Sequence, residues 1–196
     1  MEQHFRKDMS NLTWDEVLAR QARRAPLMSA WFAAMNIKAG SHVVDIGSGP
    51  GFTSLAMAEI VGPTGLVSAV DRSADALAVL ERLQKARSIA NIRRFVADAC
   101  ELPNLGLSVE AAALTMVLHH ADDPLGVMTA IAATLPQGAP CVIAEFHPDG
   151  PCTSGPPKEA RLPPDQLVAW GTTSGMRVAQ TVRQSDEHYM MVLTRP

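Results

Sequence analysis

The chain has 196 residues, 47% hydrophobic and 19% charged, with a formal net charge of −3. That length suits one domain with a large core, and the acidic balance gives no electrostatic reason to expect nucleic acid or an anionic membrane as partner. No apolar run reaches the ~20 residues of a membrane span, and Cys100, Cys141 and Cys152 are too scattered for a disulfide framework or a zinc site, so they read as free thiols of a cytoplasmic protein.

Residues 1–11 are polar, without the apolar centre of a signal peptide, and Phe5 is a candidate anchor. Thr13-Trp14-Asp15-Glu16 then spells a capping box, and the helix it opens carries Arg20, Arg23 and Arg24 towards its end, as the helix dipole favours. Pro26 opens a second helix through about Met35. Val43, Val44 and Ile46 form a short β-branched run, that of a strand covered on both faces. Gly47, Gly49 and Gly51 follow, and Phe52 onward has helical spacing. After the breaker Gly62-Pro63-Thr64-Gly65, a second strand runs from Leu66 to Val70, and Ser73 caps a helix to about Ser88. A third strand, Ile92 to Ala97, ends at Asp98, and a loop with Pro103 follows. Glu110 to Leu118 reads as a central fourth strand. Asp123 and Pro124 start a helix that Pro136-Gln137-Gly138 ends, and Cys141 to Phe146 is the fifth strand. His147 to Pro164 holds six prolines and reads as an ordered, irregular crossover. A helix over Asp165–Ser174 precedes two strands, Met176–Val182 and His188–Thr194, close enough to pair antiparallel.

This order predicts a single α/β domain with a doubly wound, mostly parallel seven-stranded sheet whose last strand is antiparallel. It divides into an N-terminal helical cover or lid (1–40), a cofactor-binding core (41–147), and the proline-rich crossover with the terminal strand pair (148–196). The ligand crevice belongs at the carboxyl ends of the first, second and fourth strands.

Three readings of the glycine turn compete. A dinucleotide fold wants G-x-G-x-x-G, whereas here the order is G-S-G-P-G and the third glycine comes early. A phosphate-cradling loop wants Lys and then Ser or Thr after its last glycine, where this chain has Phe52. The third reading is a nucleoside without phosphates, which asks only that a small charged group can lie against the backbone. An ionised carboxylate such as Asp71, ~20 residues beyond the turn, grips a ribose diol well.

Val44-Asp45-Ile46-Gly47-Ser48-Gly49-Pro50-Gly51 resembles the first motif of the class I methyltransferases that use S-adenosylmethionine. Val70-Asp71 resembles that family's ribose-holding acid and Val96-Ala97-Asp98-Ala99 its adenine-contacting segment. The stretches Ala113–His120 and Leu135–Phe146 resemble its fourth and fifth strands, and Gly175-Met176 its Gly-Phe pair. The likeness covers roughly residues 41–194 and is strongest to the short ubiquinone/menaquinone-biosynthesis type. It implies donor-binding roles for Asp45, Gly47, Ser48, Gly49, Gly51, Phe52, Asp71, Arg72, Asp98, Ala99 and Leu114, with S-adenosyl-L-homocysteine as product. It also implies a small-molecule acceptor near the ends of the fourth and fifth strands, where His119, His120 and Glu145 are the candidates for a base or an acceptor ligand. The likeness leaves open a homodimer, a non-catalytic donor-binding subunit and a protein or RNA methyltransferase. Metal-type ligands occur in His119-His120-Asp122-Asp123, but the helix-cap position of Asp123 explains it, so no metal is expected.

Overall fold

The computed structural model describes residues 11–196, and Phe5 lies outside them. The strand before the glycine turn, β1 (His42–Ile46), has one exposed residue followed by four buried ones, as in a strand covered on both faces. It sits mid-sheet. Parallel to it run β2 (Leu66–Asp71) and then β3 (Ile92–Val96) on one side, and β4 (Ala111–Thr115) and then β5 (Pro140–Phe146) on the other. β7 (His188–Thr194) pairs antiparallel with β5, and β6 (Arg177–Arg183) antiparallel with β7. Among the described residues these seven strands make one sheet, in the order β3-β2-β1-β4-β5-β7-β6. The predicted architecture is therefore the observed one.

Successive strand residues serve opposite layers. Val43 joins Val67, Ala113 and Val142 under α2 (Ala25–Met35), α3 (Phe52–Val61) and α4 (Ala74–Ala86), which contribute Trp31, Met35, Leu55, Met57, Leu77 and Leu80. Val44 joins Leu114 and Ile143 on the other face, where α5 (Pro124–Thr134), α6 (Pro164–Thr173) and a 3-10 segment over Ala99–Leu105 contribute Met128, Ile131, Leu167 and Leu102. The caps read from the sequence are in place. The Thr13–Glu16 capping box opens α1 (Trp14–Ala22), Ser73 Oγ accepts from the Ala76 N–H, and the Asp123 side chain accepts from the Gly126 N–H. Trp31 is 1% exposed, and its indole N–H donates to Gln184 at 2.7 Å, so α2 is fastened to the far end of the chain.

Two segments differ from expectation. The fourth strand stops at Thr115 rather than at Leu118. Met116 takes a left-handed φ of 59°, and Leu118–His120 form a 3-10 turn. Val117 and Leu118 are apolar because they pack against the core, and an apolar run looks the same whether it is a strand or a buried turn. The loop around Pro103 is likewise the 3-10 segment already named, opened by a second capping box in which Asp98 and Glu101 exchange backbone bonds.

The glycine turn demands its glycines. Gly47 and Gly51 have φ of 66° and 89°, and a Cβ there would lie 2.4 Å from Val117 and from Leu80, respectively. Gly51→Ala is expected to cost about 1–3 kcal/mol of stability, from strain and overpacking together. A urea midpoint unchanged by the substitution would contradict this.

Candidate active site

β1, β2 and β4 end at one edge of the sheet, and there a cavity of ≈1510 Å³ opens between α1, the loops after these strands and the segment 152–157. Ligand clefts commonly hold about 300–1,000 Å³, so there is room for two small molecules side by side. Of the residues singled out from the sequence, Gly47, Gly49, Asp71, Arg72, Asp98, Ala99, His119 and His120 line it together. Asp45, Ser48, Gly51, Phe52, Leu114 and Glu145 are not on its wall.

The turn is held from several directions. The Gly47 and Ser48 N–H groups donate to the Val70 carbonyl at 2.8 and 3.1 Å. The Asp71 carboxylate accepts from the Gly49 N–H at 2.7 Å and from the Ser73 N–H at 2.8 Å. Burial raises the Asp71 carboxyl above its usual range, and these two N–H donors pull in the opposite direction. An ionised carboxylate has about four acceptor positions, so Asp71 keeps capacity for a ligand's hydroxyl groups. Gln21 of α1 closes the turn from above. Its amide N–H donates to the Ser48 carbonyl and its amide oxygen accepts from the Phe52 N–H, each at 3.1 Å. Ser48 Oγ is buried and makes no hydrogen bond among the described residues. An open glycine backbone, an acid at the second strand end and an exposed acid, Asp98, at the third fit a nucleoside whose amino-acid end lies on the turn.

Asp45 serves the scaffold. It is 1% exposed and accepts from Ser54 Oγ at 2.5 Å, tying β1 to α3. Burial pushes its carboxyl up to about 7, with the Ser54 bond opposing and Asp71 adding to the rise. At pH below the ordinary value of 3.8 the proton is held in both states. As pH climbs towards about 7 only the unfolded chain releases it, so this residue's contribution to stability is lost across that window. Asp45→Asn is expected to flatten that slope, read as urea midpoints at about pH 5 and about pH 8. Parallel profiles for the two proteins would contradict the assignment.

The 3-10 turn after β4 and the end of β5 bring His119 onto Glu145. The imidazole Nδ1 lies 2.6 Å from Glu145 Oε2, and the two side chains are 2% and 1% exposed. Burial drives the Glu145 carboxyl upward, but the charge and hydrogen bond of His119, with the charge of His120, outweigh it and hold it below its ordinary value. An ionised Glu145 accepts from Nδ1–H, so in the neutral ring the lone pair is on Nε2, and the carboxylate stabilises the imidazolium that forms when His119 takes a proton. His120 lies against His119, with ring centroids 4.1 Å apart, and Phe146 meets His119 edge-on at 5.8 Å. Among the described residues no group of His, Cys, Asp and Glu is arranged to hold a metal ion, and no helix is long and apolar enough to cross a membrane.

Sequence reasoning missed Gln21, Arg24, Phe146 and His188. Arg24 stands over the Phe146 ring, 5.5 Å from its centroid, and His188 lies against the same ring at 4.8 Å. Nothing local marks these residues, since each acts on a partner far away in the chain.

Comparison with known proteins agrees with this fold. The model of a family described as "Methyltransferase domain" matches residues 37–194. A demethylmenaquinone methyltransferase of Geobacillus kaustophilus (strain HTA426) is 31% identical over 94 residues, which is 48% of this chain and 40% of that protein. The chain thus matches less than half the length of that curated relative. Among solved structures, a SAM-dependent methyltransferase from Aquifex aeolicus superposes with a TM-score of 0.79 at 17% identity, covering 86% of this chain and 89% of that one. The Burkholderia thailandensis 1,6-didemethyltoxoflavin-N1-methyltransferase, solved with 1,6-didemethyltoxoflavin and S-adenosylhomocysteine, gives 0.68 at 16% identity, covering 92% and 81%. Both share the fold.

Proposed function

This chain belongs to the methyltransferase-domain family, of the class I, S-adenosylmethionine-dependent kind, and we propose that it methylates a small molecule whose accepting atom must first lose a proton. The observation that carries this reading is the buried His119–Glu145 pair, at 2.6 Å, placed against the cavity that Gly49 and Asp71 also line. The donor, when bound, supplies a methyl carbon already activated by sulfonium. The protein's task is to bind, orient, exclude water and manage one proton. The turn Gly47–Gly51 takes the amino-acid end of the donor, Asp71 the ribose hydroxyls, and Asp98 with the Ala99 N–H the adenine edge. His119 accepts the acceptor's proton at Nε2 while Glu145 holds the ring in the required tautomer. α1, with Trp14 and Gln21, covers the donor half of the cavity.

A small acceptor is favoured over RNA by the disposition of the arginines. Arg94 is turned to α4, where it meets Gln84 and Glu81. Arg93 lies on β3 away from the cavity wall, and the arginines on that wall, Arg20, Arg23, Arg24 and Arg72, stand beside Asp71, Asp98, Asp122 and Asp123, so it is mixed in charge rather than the single-sign basic surface that favours a nucleic acid. The demethylmenaquinone and didemethyltoxoflavin enzymes named above carry small acceptors in their names, in line with this reading. The test is transfer of label from methyl-labelled S-adenosylmethionine to a panel of small hydroxyl, amine and thiol compounds, run beside bulk RNA and protein. Label in small molecules is the expected result. Label confined to RNA or protein would overturn it.

A further inference from the structure

Two arginines approach the Phe146 ring and differ in what they do there. The Arg161 side chain is fully buried, stands 5.2 Å from the ring centroid and spends its donors inside the protein. It bonds Glu187 at 2.6 Å and the carbonyls of Pro156, His147 and Ser154 at 3.0, 3.0 and 2.8 Å. Arg24 is partly buried, lines the cavity and makes no side-chain hydrogen bond or ion pair among the described residues. A desolvated guanidinium without an acceptor is costly. Burial is the strongest influence on Arg24 and pulls its proton affinity down to about 10, with Glu145 restoring part and Arg20 removing more. It stays charged at neutral pH.

His188 stands on the same ring. Ser185 Oγ already accepts from the Glu187 and His188 N–H groups, so its own hydrogen goes to His188 Nδ1, at 3.1 Å. The ring proton is then on Nε2, which is buried and has no partner among the described residues. Burial, reinforced by Arg24, lowers His188 to about 4, so the ring is neutral and keeps this tautomer at physiological pH. One cationic fork and one N–H donor, both unmatched, therefore meet at one ring, which also packs edge-on against His119.

We propose that Arg24 and His188 form an anion-recognition subsite and that the acceptor of this enzyme carries a carboxylate, held there with its reacting atom towards His119. The proposal rests on the small-acceptor reading above. A guanidinium suits a carboxylate because its planar donor fork matches the two oxygens. The neutral His188 N–H adds a third donor without adding charge.

The test uses ligand-observed fluorine NMR with 4-fluorobenzoate and its neutral counterpart 4-fluorobenzamide, on the full chain with and without S-adenosylhomocysteine. The acid is expected to bind about ten-fold or more tightly than the amide. Arg24→Gln should reduce the acid to the level of the amide, whereas Arg24→Lys, which keeps the charge, retains part of the preference. Binding of S-adenosylhomocysteine to Arg24→Gln, measured by calorimetry, shows that this variant is folded. Equal binding of acid and amide, no binding of the acid, or an acid preference that survives Arg24→Gln would overturn the proposal. Failure of the donor reading shows separately, as loss of S-adenosylhomocysteine binding by the unaltered chain, while the acid-against-amide comparison still stands.

Discussion

Asp71→Ala is expected to weaken S-adenosylhomocysteine binding by about 2–4 kcal/mol, roughly 30- to 1,000-fold in Kd, by loss of charge-assisted bonds. Two losses combine. The direct one is the acceptor for the ribose hydroxyls. The indirect one is internal, because Asp71 also receives the Gly49 N–H at 2.7 Å and the Ser73 N–H at 2.8 Å, so its removal releases the turn on which the donor's other end rests. Asp71→Asn separates them. An amide oxygen still accepts from one backbone N–H but carries no charge, so an intermediate loss is expected, with the fold preserved. Calorimetry on both variants reads the result, and an affinity unchanged in Asp71→Ala would remove the ribose assignment.

Replacing His119 acts on the chemistry instead. His119→Gln is expected to lower kcat by about 10²–10⁴-fold, the usual contribution of a general base, while donor affinity stays within about two-fold. Gln is preferred to Ala because Glu145 would otherwise be left as a buried carboxylate without a partner, an expensive arrangement that destabilises in its own right. Glu145→Gln removes the charge that favours the imidazolium, so it should lower kcat, though less than His119→Gln. Combining the two should cost little more than the larger single effect, because they work as one unit. An equal fall in kcat and in donor affinity for His119→Gln would instead mark His119 as structural.

How far the chain could be read from its sequence depends on how local each cause is. The glycine turn and the caps at Thr13, Ser73 and Asp123 were legible because their requirements lie within a few residues: a left-handed φ, or an oxygen three positions before an N–H. The doubly wound, mostly parallel sheet followed from the alternation of strands and helices, and with it the crevice. The end of β4 was hidden because Val117 and Leu118 are apolar in a strand and in a buried turn alike. Asp45 was assigned to the donor through the family resemblance, and only the position of Ser54 on α3 shows the bond its carboxylate makes. His119 and Glu145 were each singled out, but their pairing spans 26 positions and needs β4 and β5 as neighbours. Gln21, Arg24 and His188 carry no local signature, since a glutamine or an arginine at a helix end is ordinarily solvated.

The most direct measurement is a crystal structure of the protein with S-adenosylhomocysteine. The account predicts the ribose hydroxyls within about 2.6–3.2 Å of the Asp71 carboxylate, the amino-acid end against Gly47–Gly51, and the sulfur facing His119. A nucleoside bound away from Asp71, or one whose sulfur is turned from the His119–Glu145 pair, would contradict it.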